Sequence, residues 1–314
     1  MSLYFGADTS NYTTSFALAG DSDKMVRRIL DVAEGQRGIR QSDGVFAHIK
    51  NAPALLEELS EGVDFGAVKA VGVSTRPRSV EGSYMPVFLA GETIASSVAT
   101  ALGVPLYRFS HQDGHIMAGL LSAKREDLLE REFYSVHLSG GTFEILKSHY
   151  DGNIFPSEIV GGTKDISAGQ LIDRIGVKCG LKFPCGKEIS RLAEEYRDSK
   201  PNLKGDSKIK LSVSEKDGYI NFSGAETQGL KLAETEDVGL ISYALIEVVG
   251  KSLIKALKSV GAKEVLLVGG VASSRPLKEY LLSSCDIDFC FADAEYASDN
   301  AWGIAKLTQL REEG

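Results

Sequence analysis

Two histidines stand four residues apart in the segment Ser110-His111-Gln112-Asp113-Gly114-His115. An apolar strand pattern over 104–107 precedes the segment and an apolar-periodic run over 116–123 follows it, so the segment is predicted to open a helix. Side chains four residues apart lie on the same helix face, where two imidazoles can ligate a single cation. The spacing therefore predicts a mononuclear metal site at His111 and His115.

Two turns of small polar residues have the composition of phosphate-binding loops. One lies between two strand patterns over 8–15, with Ser10 near its tip, and a plain Ser/Thr turn explains it equally well. The other is Ser139-Gly140-Gly141-Thr142, which follows a strand pattern that ends at Leu138. Its glycines let the backbone approach a phosphate closely and point consecutive N–H groups at it. The repeated hairpin predicts a duplicated fold that binds one ligand between its two halves.

His137 lies on the second of these strands, two residues before Ser139. Its place beside the glycine turn makes it a candidate third metal ligand, whereas packing inside a sheet is the ordinary role of a histidine in a strand. The sequence leaves both interpretations open.

Strand and helix patterns alternate along the chain, which predicts an α/β fold with a mostly parallel sheet covered by helices. In such sheets ligands bind at the carboxyl ends of strands, where the loops at Thr75 and Ser110 emerge. A later strand pattern ends in Gly269-Gly270 shortly before a helix, which is a typical position for a nucleotide.

Further helices are predicted from local signals. An apolar stripe predicts a helix over 43–59, which Pro53 is expected to kink or split. The stripe consists of Val45, Phe46, Ile49, Leu55, Leu56 and Leu59. His48 falls within this pattern and is predicted to be packed or exposed, not a ligand. Asp165 is predicted to cap a later helix.

The composition limits the classes of function and partner. The chain has 314 residues, a length that suggests two domains, and its formal net charge of -8 argues against a dedicated nucleic-acid binder. An enzyme that meets RNA through a local patch stays compatible with this charge. No apolar run reaches the ~18 residues of a membrane span and no signal sequence is seen, so a cytoplasmic location without a membrane partner is expected. The four cysteines match no common zinc module and are expected to be reduced, structural thiols.

Taken together, these motifs resemble the TsaD-like family, also described as O-sialoglycoprotein endopeptidases or glycoproteases, whose members make threonylcarbamoyladenosine in tRNA. The family's His-x-x-x-His motif matches His111 and His115, and its closing Thr/Ser-Asp-Asn motif matches Ser298-Asp299-Asn300. The resemblance implies a two-lobed actin/Hsp70/sugar-kinase (ASKHA) fold, an α/β architecture with a duplicated mixed sheet and helices on both faces. One lobe would span 1–125, completed by a C-terminal helix over 294–314, and the other would span 126–293.

The resemblance also implies a set of site residues. One iron or zinc ion would be held by His111, His115 and Asp299, with His137 at the place where some members have a tyrosine. An adenylate ligand, which could be threonylcarbamoyl-AMP, AMP, ADP or ATP, is assigned to Ser10, Leu138, Ser139, Gly140, Gly141, Asp173, Gly186, Gly269, Gly270 and Ser274. No residue is singled out as a general base.

The implied reaction moves a threonylcarbamoyl group from threonylcarbamoyl-AMP to a tRNA adenosine, with the metal as Lewis acid and orienting template. The implied partners are tRNA, bound through a local patch or a second subunit, together with a noncatalytic actin-like paralogue and a small ATPase.

Departures from the family motifs keep a second interpretation open. Arg76-Pro77-Arg78 stands where the family has Gly-Pro-Gly, and further departures fall at Thr142, Ile166, Gln170, Cys185 and Ser274. The alternative is a diverged nucleotide-binding paralogue with another substrate or with a regulatory or assembly role. A metalloprotease is disfavoured because zincin proteases carry His-Glu-x-x-His, and here Gln112 follows His111.

Overall fold

Internal contacts divide the chain into two units, each with its own sheet and its own apolar core. The computed structural model describes residues 2–10, 12–30, 39–200, 208–293, 295–296 and 301–314. Unit one comprises Met1–Glu130, His149–Pro156 and Ser298–Gly314. Unit two comprises Arg131–Ser148 and Ser157–Ala297.

The sheet of unit one is mixed and brings three strand ends to one edge. Its strands are β1 (Leu3–Asp8), β2 (Thr13–Gly20), β3 (Lys24–Ile29), β4 (Val68–Arg76) and β5 (Leu106–Ser110). In the order β3-β2-β1-β4-β5, the first three strands pair antiparallel, whereas β1, β4 and β5 run parallel. Every residue of β1 is buried, as expected for a strand covered on both faces. The carboxyl ends of β1, β4 and β5 therefore lie side by side.

The sheet of unit two repeats this pattern and extends it. Its strands are β6 (Phe133–Leu138), β7 (Phe143–Ser148), β8 (Ser157–Thr163), β9 (Ser214–Lys216), β10 (Tyr219–Asn221), β11 (Glu264–Val268) and β12 (Asp288–Phe291). Within the order β12-β11-β6-β7-β8-β10-β9, the run β8-β7-β6-β11-β12 has the pairing directions of β3-β2-β1-β4-β5. The predicted duplication is confirmed. The expectation of a mostly parallel sheet is wrong, because each copy begins with an antiparallel hairpin.

Each unit also contains helices. They are α1 (Gln41–Ser60), α2 (Phe88–Leu102), α3 (His111–Ser122), α4 (Ala168–Lys178), α5 (Gly186–Asp198), α6 (Ser223–Leu232), α7 (Val238–Ser259), α8 (Arg275–Ser284) and α9 (Trp302–Glu313). The sequence patterns did not predict β3, β8, β9, β10 or α6. Among the described residues, no helix has both the length and the apolar composition that crossing a membrane requires.

Glycines allow α9 to pack closely inside unit one. A Cβ on Gly6 of β1 would lie 2.6 Å from the backbone nitrogen of Ala305, and a Cβ on Gly72 of β4 would overlap the hydroxyl of Thr308. A Cβ on Gly303 would overlap the backbone oxygen of Gly114 in α3. Because real Cβ atoms do not approach other atoms so closely, these positions tolerate only glycine without a shift of α9.

The buried face of α1 matches the predicted stripe only at Leu55 and Leu59. The face turned inward consists of Gly44, His48, Ala52, Leu55 and Leu59, at helical spacing. Phe46 is 70% exposed and Ile49 is 55% exposed, so these two apolar residues lie on the opposite side. The helix also continues through Pro53 without splitting.

The N-terminus of α4 is capped by Ser167 and not by Asp165. The Ser167 hydroxyl accepts the backbone N–H of Gln170, and the Gln170 side chain accepts the backbone N–H of Ser167, which together form a capping box. The Asp165 carboxylate instead accepts backbone N–H groups of Phe222 and Ser223 at the start of α6. Burial opposes ionisation of Asp165, but these hydrogen bonds hold the pKa of its carboxyl below the ordinary value.

Candidate functional site

The two imidazoles of α3 lie side by side in unit one. The ring centroids of His111 and His115 are 4.3 Å apart and the rings meet edge to face. His115 is buried and His111 is largely so. The prediction that both rings share one face of a helical turn holds in the structure.

A capping box fixes the start of α3. The Ser110 hydroxyl accepts the backbone N–H of Asp113, and one oxygen of the buried Asp113 carboxylate accepts the backbone N–H of Ser110 at 2.8 Å. The same carboxylate accepts the hydroxyl of Ser79 at 2.8 Å and the backbone N–H of Phe155 at 3.0 Å. Since these donors occupy both its oxygens, Asp113 holds α3 and its flanking loops in place and does not offer a base to the imidazole pair.

The ring of His111 is hydrogen-bonded to the last residue of β1. Nδ1 of His111 lies 3.1 Å from one carboxylate oxygen of Asp8 and 3.3 Å from the other. Asp8 is fully buried, and it also accepts the hydroxyl of Ser10 at 2.9 Å and the hydroxyl of Ser74 on β4. The parallel strands β1, β4 and β5 end at the same edge, which is why these side chains meet the start of α3.

The donors around His111 and His115 suit a divalent ion. Imidazole nitrogens are ordinary ligands of zinc and of ferrous iron. Nδ1 of His111 is engaged by the carboxylate of Asp8. Within unit one the structure places two of the four predicted ligands, His111 and His115, side by side. His137 belongs to β6 in unit two, and Asp299 lies outside the described residues. Among the residues that the structure describes, no three His, Cys, Asp or Glu side chains are grouped to hold a metal.

The predicted phosphate turn of unit two is open to a ligand. The turn is closed by a hydrogen bond from the backbone N–H of Ser139 to the oxygen of Thr142. A Cβ on Gly140 or Gly141 would meet no atom within 4 Å, so space lies beside both residues. The hydroxyl of Ser167 donates to the backbone oxygen of Gly140 at 2.7 Å, which places the N-terminus of α4 against the turn. A helix N-terminus favours an anion at this position.

Gly269 and Gly270 follow β11 and lie near the end of β6, the strand that leads into this turn. The backbone oxygen of Leu138 accepts the N–H of Val271 at 3.0 Å and that of Ala272 at 3.3 Å. A Cβ on Gly269 would come within 2.5 Å of the same oxygen, so only glycine permits this approach. Gly270 is open to solvent. Unit two thus gathers Leu138, the turn and the double glycine into one region.

The other predicted ligand contacts of unit two lie on α4, α5 and α8. Asp173 of α4 accepts the backbone N–H of Cys185, the residue before Gly186 and α5. Burial raises the pKa of the Asp173 carboxyl, and the hydrogen bond from Cys185 partly offsets this effect. Ser274, before α8, accepts the hydroxyl of Ser190 on α5 at 2.8 Å.

The sequence did not single out Asp8 or Ser74 as parts of the site. Ser10 was singled out as an anion contact, and its hydroxyl donates to Asp8 in the structure. The only signal for Asp8 in the sequence is a carboxylate at the end of an apolar strand. Its contact with His111 joins residues 103 positions apart.

His48 is the other buried imidazole of unit one. Its Nδ1 lies 2.8 Å from the Thr14 hydroxyl, and in the described part of the chain no hydrogen-bond partner is placed at Nε2. Burial lowers the pKa of His48 from its ordinary value of 6.5 to about 4, although the charge of Asp8 acts in the opposite direction.

Stability is therefore expected to fall as the pH drops through the range from 6.5 to 4. The unfolded chain takes up a proton at His48 near pH 6.5, which the folded protein resists until about pH 4, at a cost of about 3 kcal/mol. Urea unfolding at several pH values should show this loss in the natural protein and a flatter profile in His48→Gln. If the free energy of unfolding depended on pH in the same way in both proteins, His48 would be excluded as the cause of the loss.

Comparison with known proteins identifies the relatives of the chain. The sequence model of the family TsaD, tRNA N6-adenosine threonylcarbamoyltransferase, matches residues 31–306. A tRNA N6-adenosine threonylcarbamoyltransferase of Enterococcus faecalis is 30% identical over 288 residues, which cover 88% of this chain and 79% of that protein.

Solved structures show the fold at much lower identity. The activator of the 2-hydroxyisocaproyl-CoA dehydratase from Clostridium difficile, with bound ADPNP, aligns over 99% of this chain and 96% of its own with a TM-score of 0.55 and 13% identity. HypF of T. kodakarensis aligns over all of this chain and 48% of its own with a TM-score of 0.59 and 14% identity. The predicted α/β class with the actin/Hsp70/sugar-kinase fold is confirmed. The chain belongs to the TsaD family of tRNA N6-adenosine threonylcarbamoyltransferases.

Proposed function

We propose that this protein transfers a threonylcarbamoyl group from threonylcarbamoyl-AMP to an adenosine of tRNA, with one iron or zinc ion held by His111 and His115. The observation that carries the proposal is the adjacency of the two imidazoles, whose centroids lie 4.3 Å apart at the start of α3. Membership of the TsaD family supports the reaction class. Asp299 and His137 are proposed as the further ligands.

In the proposed reaction the exocyclic amine of the adenosine attacks the carbamoyl carbon of the ligand. The new C–N bond forms as the bond from that carbon to the AMP phosphate oxygen breaks, so AMP leaves and the amine loses a proton. When bound, the ion would supply Lewis-acid polarisation and orientation of the ligand oxygens.

The chain's own residues are proposed to bind the adenylate. The turn at Ser139, Gly140 and Gly141 would receive its phosphate, because the turn is open and adjoins the N-terminus of α4. Asp173 and Gly186 would contact the ribose and base, and Gly269, Gly270 and Ser274 would line the adenosine pocket. The proposed partners are tRNA, a noncatalytic actin-like paralogue and a small ATPase, and the proposed location is the cytoplasm.

Arg76 favours a second candidate, a diverged member with another ligand. Its guanidinium lies 3.4 Å from the hydroxyl of Thr75 and 3.3 Å from that of Ser79, and within the described ranges no carboxylate pairs with it. In the sheet register Arg76 lies beside Ser110, next to His111. A positive charge here, where the family has glycine, suits a ligand with an additional negative group.

A transfer assay separates the two candidates. The purified protein is incubated with tRNA, threonine, bicarbonate, ATP and the synthase that makes the adenylate, with and without the partner subunits. Digested tRNA is then examined by mass spectrometry. Threonylcarbamoyladenosine is expected, with the Enterococcus faecalis relative as positive control and His115→Ala as negative control. Its absence with every subunit present, while the relative is active, would overturn transfer to tRNA and favour the second candidate.

A further inference from the structure

We propose that Asp8 is a positioning residue, which fixes the tautomer and orientation of His111 so that Nε2 of this imidazole faces the metal. The inference rests on the proposed metal site and deepens it. It concerns a carboxylate that would act through His111 and would not ligate the ion itself.

The distances from Nδ1 of His111 to the Asp8 oxygens indicate which nitrogen of the ring faces the ion. A zinc–nitrogen bond is about 2.0–2.1 Å long, and an ion bound at Nδ1 would have to displace the Asp8 oxygens, which lie 3.1 and 3.3 Å from that atom. Those distances are hydrogen-bond lengths. Nδ1 of His111 therefore faces the carboxylate, and we assign Nε2, on the other side of the ring, to the ion.

The surroundings of Asp8 also fix the direction of this hydrogen bond. A carboxylate accepts hydrogen bonds and does not donate them, so the ring nitrogen beside it carries the proton. The hydroxyls of Ser10 and Ser74 donate to the same buried carboxylate and hold its orientation. Ser74 reaches Asp8 because β1 and β4 run parallel and pair one residue earlier, at Ala7 and Val73. The carboxylate is thus held by a hydroxyl from β4 and one from the segment that follows β1 before any ion binds.

An outer carboxylate of this kind strengthens a metal site by orienting its histidine and raising the basicity of the ligating nitrogen. Asp8→Ala removes both effects, and zinc affinity is expected to fall by about 10–100-fold. Asp8→Asn keeps a neutral acceptor, so its zinc affinity should lie between those of Asp8→Ala and the natural protein. Asp64→Asn, which changes an exposed carboxylate of the same unit, is the matched control and should bind zinc like the natural protein.

The test has two readouts. Zinc dissociation constants are measured by competition with a chelating dye, and ¹⁵N NMR of labelled histidine reports the tautomer of His111 in the metal-free natural protein. We expect a protonated Nδ1 and an unprotonated Nε2, together with the weakened affinity of the Asp8 variants. The NMR readout needs no variant, so it decides the question even if Asp8→Ala fails to fold.

Contrary results fall into two distinguishable groups. If the natural protein binds zinc through His115 but the Asp8 variants bind it equally well, or if His111 carries its proton on Nε2, the positioning role is wrong and the metal site stands. If the natural protein binds neither zinc nor ferrous iron, both the metal site and the role of Asp8 are overturned.

Discussion

Replacing His115 by alanine is expected to abolish stoichiometric metal binding. The imidazole lies beside that of His111 and would supply one of the few ligands of the ion. Its loss should weaken metal affinity by more than about 100-fold, which is more than we expect for the loss of a carboxylate that only contacts a ligand. Metal content after purification and zinc titration measure this. His111→Ala and Asp299→Ala should behave in the same way.

His149→Ala provides the matched control for this experiment. His149 is an exposed histidine of the same unit, away from α3 in sequence, and its removal should leave metal content unchanged. Circular dichroism establishes whether each variant is folded. Full metal occupancy in folded His111→Ala and His115→Ala would show that the ion is held by other residues.

Gly303→Ala is expected to be the most destabilising single methyl addition in unit one. The new Cβ would overlap the backbone oxygen of Gly114 and lie 3.0 Å from the backbone nitrogen of Ala118, so α9 and α3 would have to separate. Overpacking against backbone atoms costs about 3 kcal/mol, because no flexible side chain can move aside. Urea unfolding should show this loss, and zinc affinity should fall too, since α3 carries the imidazole pair.

Gly186→Ala is the control for this substitution when stability is measured without ligand. Gly186 begins α5, and a Cβ there would meet no atom within 4 Å. Its effect should stay within about 0.5 kcal/mol. If Gly303→Ala were equally mild, the close packing of α9 on α3 would be wrong.

The sequence predicted those parts of the site that depend on local spacing. The positions of His111 and His115 on one helix face follow from helix geometry alone. The glycine turn after Leu138 follows from a strand that ends in small residues, and the duplicated hairpin follows from the repetition of that pattern. Each of these inferences uses residues within a few positions of one another.

The features that the sequence did not predict depend on tertiary contacts. The hydrogen bond between His111 and Asp8 requires β1, β4 and β5 to be adjacent, and no local sequence pattern specifies this adjacency. The buried face of α1 was misassigned in its first half, because the small residue Gly44 makes the close contact there, with Val87 at the start of α2, while the larger Phe46 stays exposed. The cap of α4 was assigned to Asp165 because two neighbouring residues have capping chemistry, and only the contact with α6 distinguishes them.

Anomalous X-ray diffraction from crystals of the metal-loaded protein, collected at the zinc or iron edge, tests the proposed metal site most directly. We expect one anomalous peak per chain, about 2.1 Å from Nε2 of both His111 and His115 and within bonding distance of the Asp299 carboxylate. A peak bound elsewhere, or crystals loaded with metal that show none beside these imidazoles, would contradict the proposed metal site.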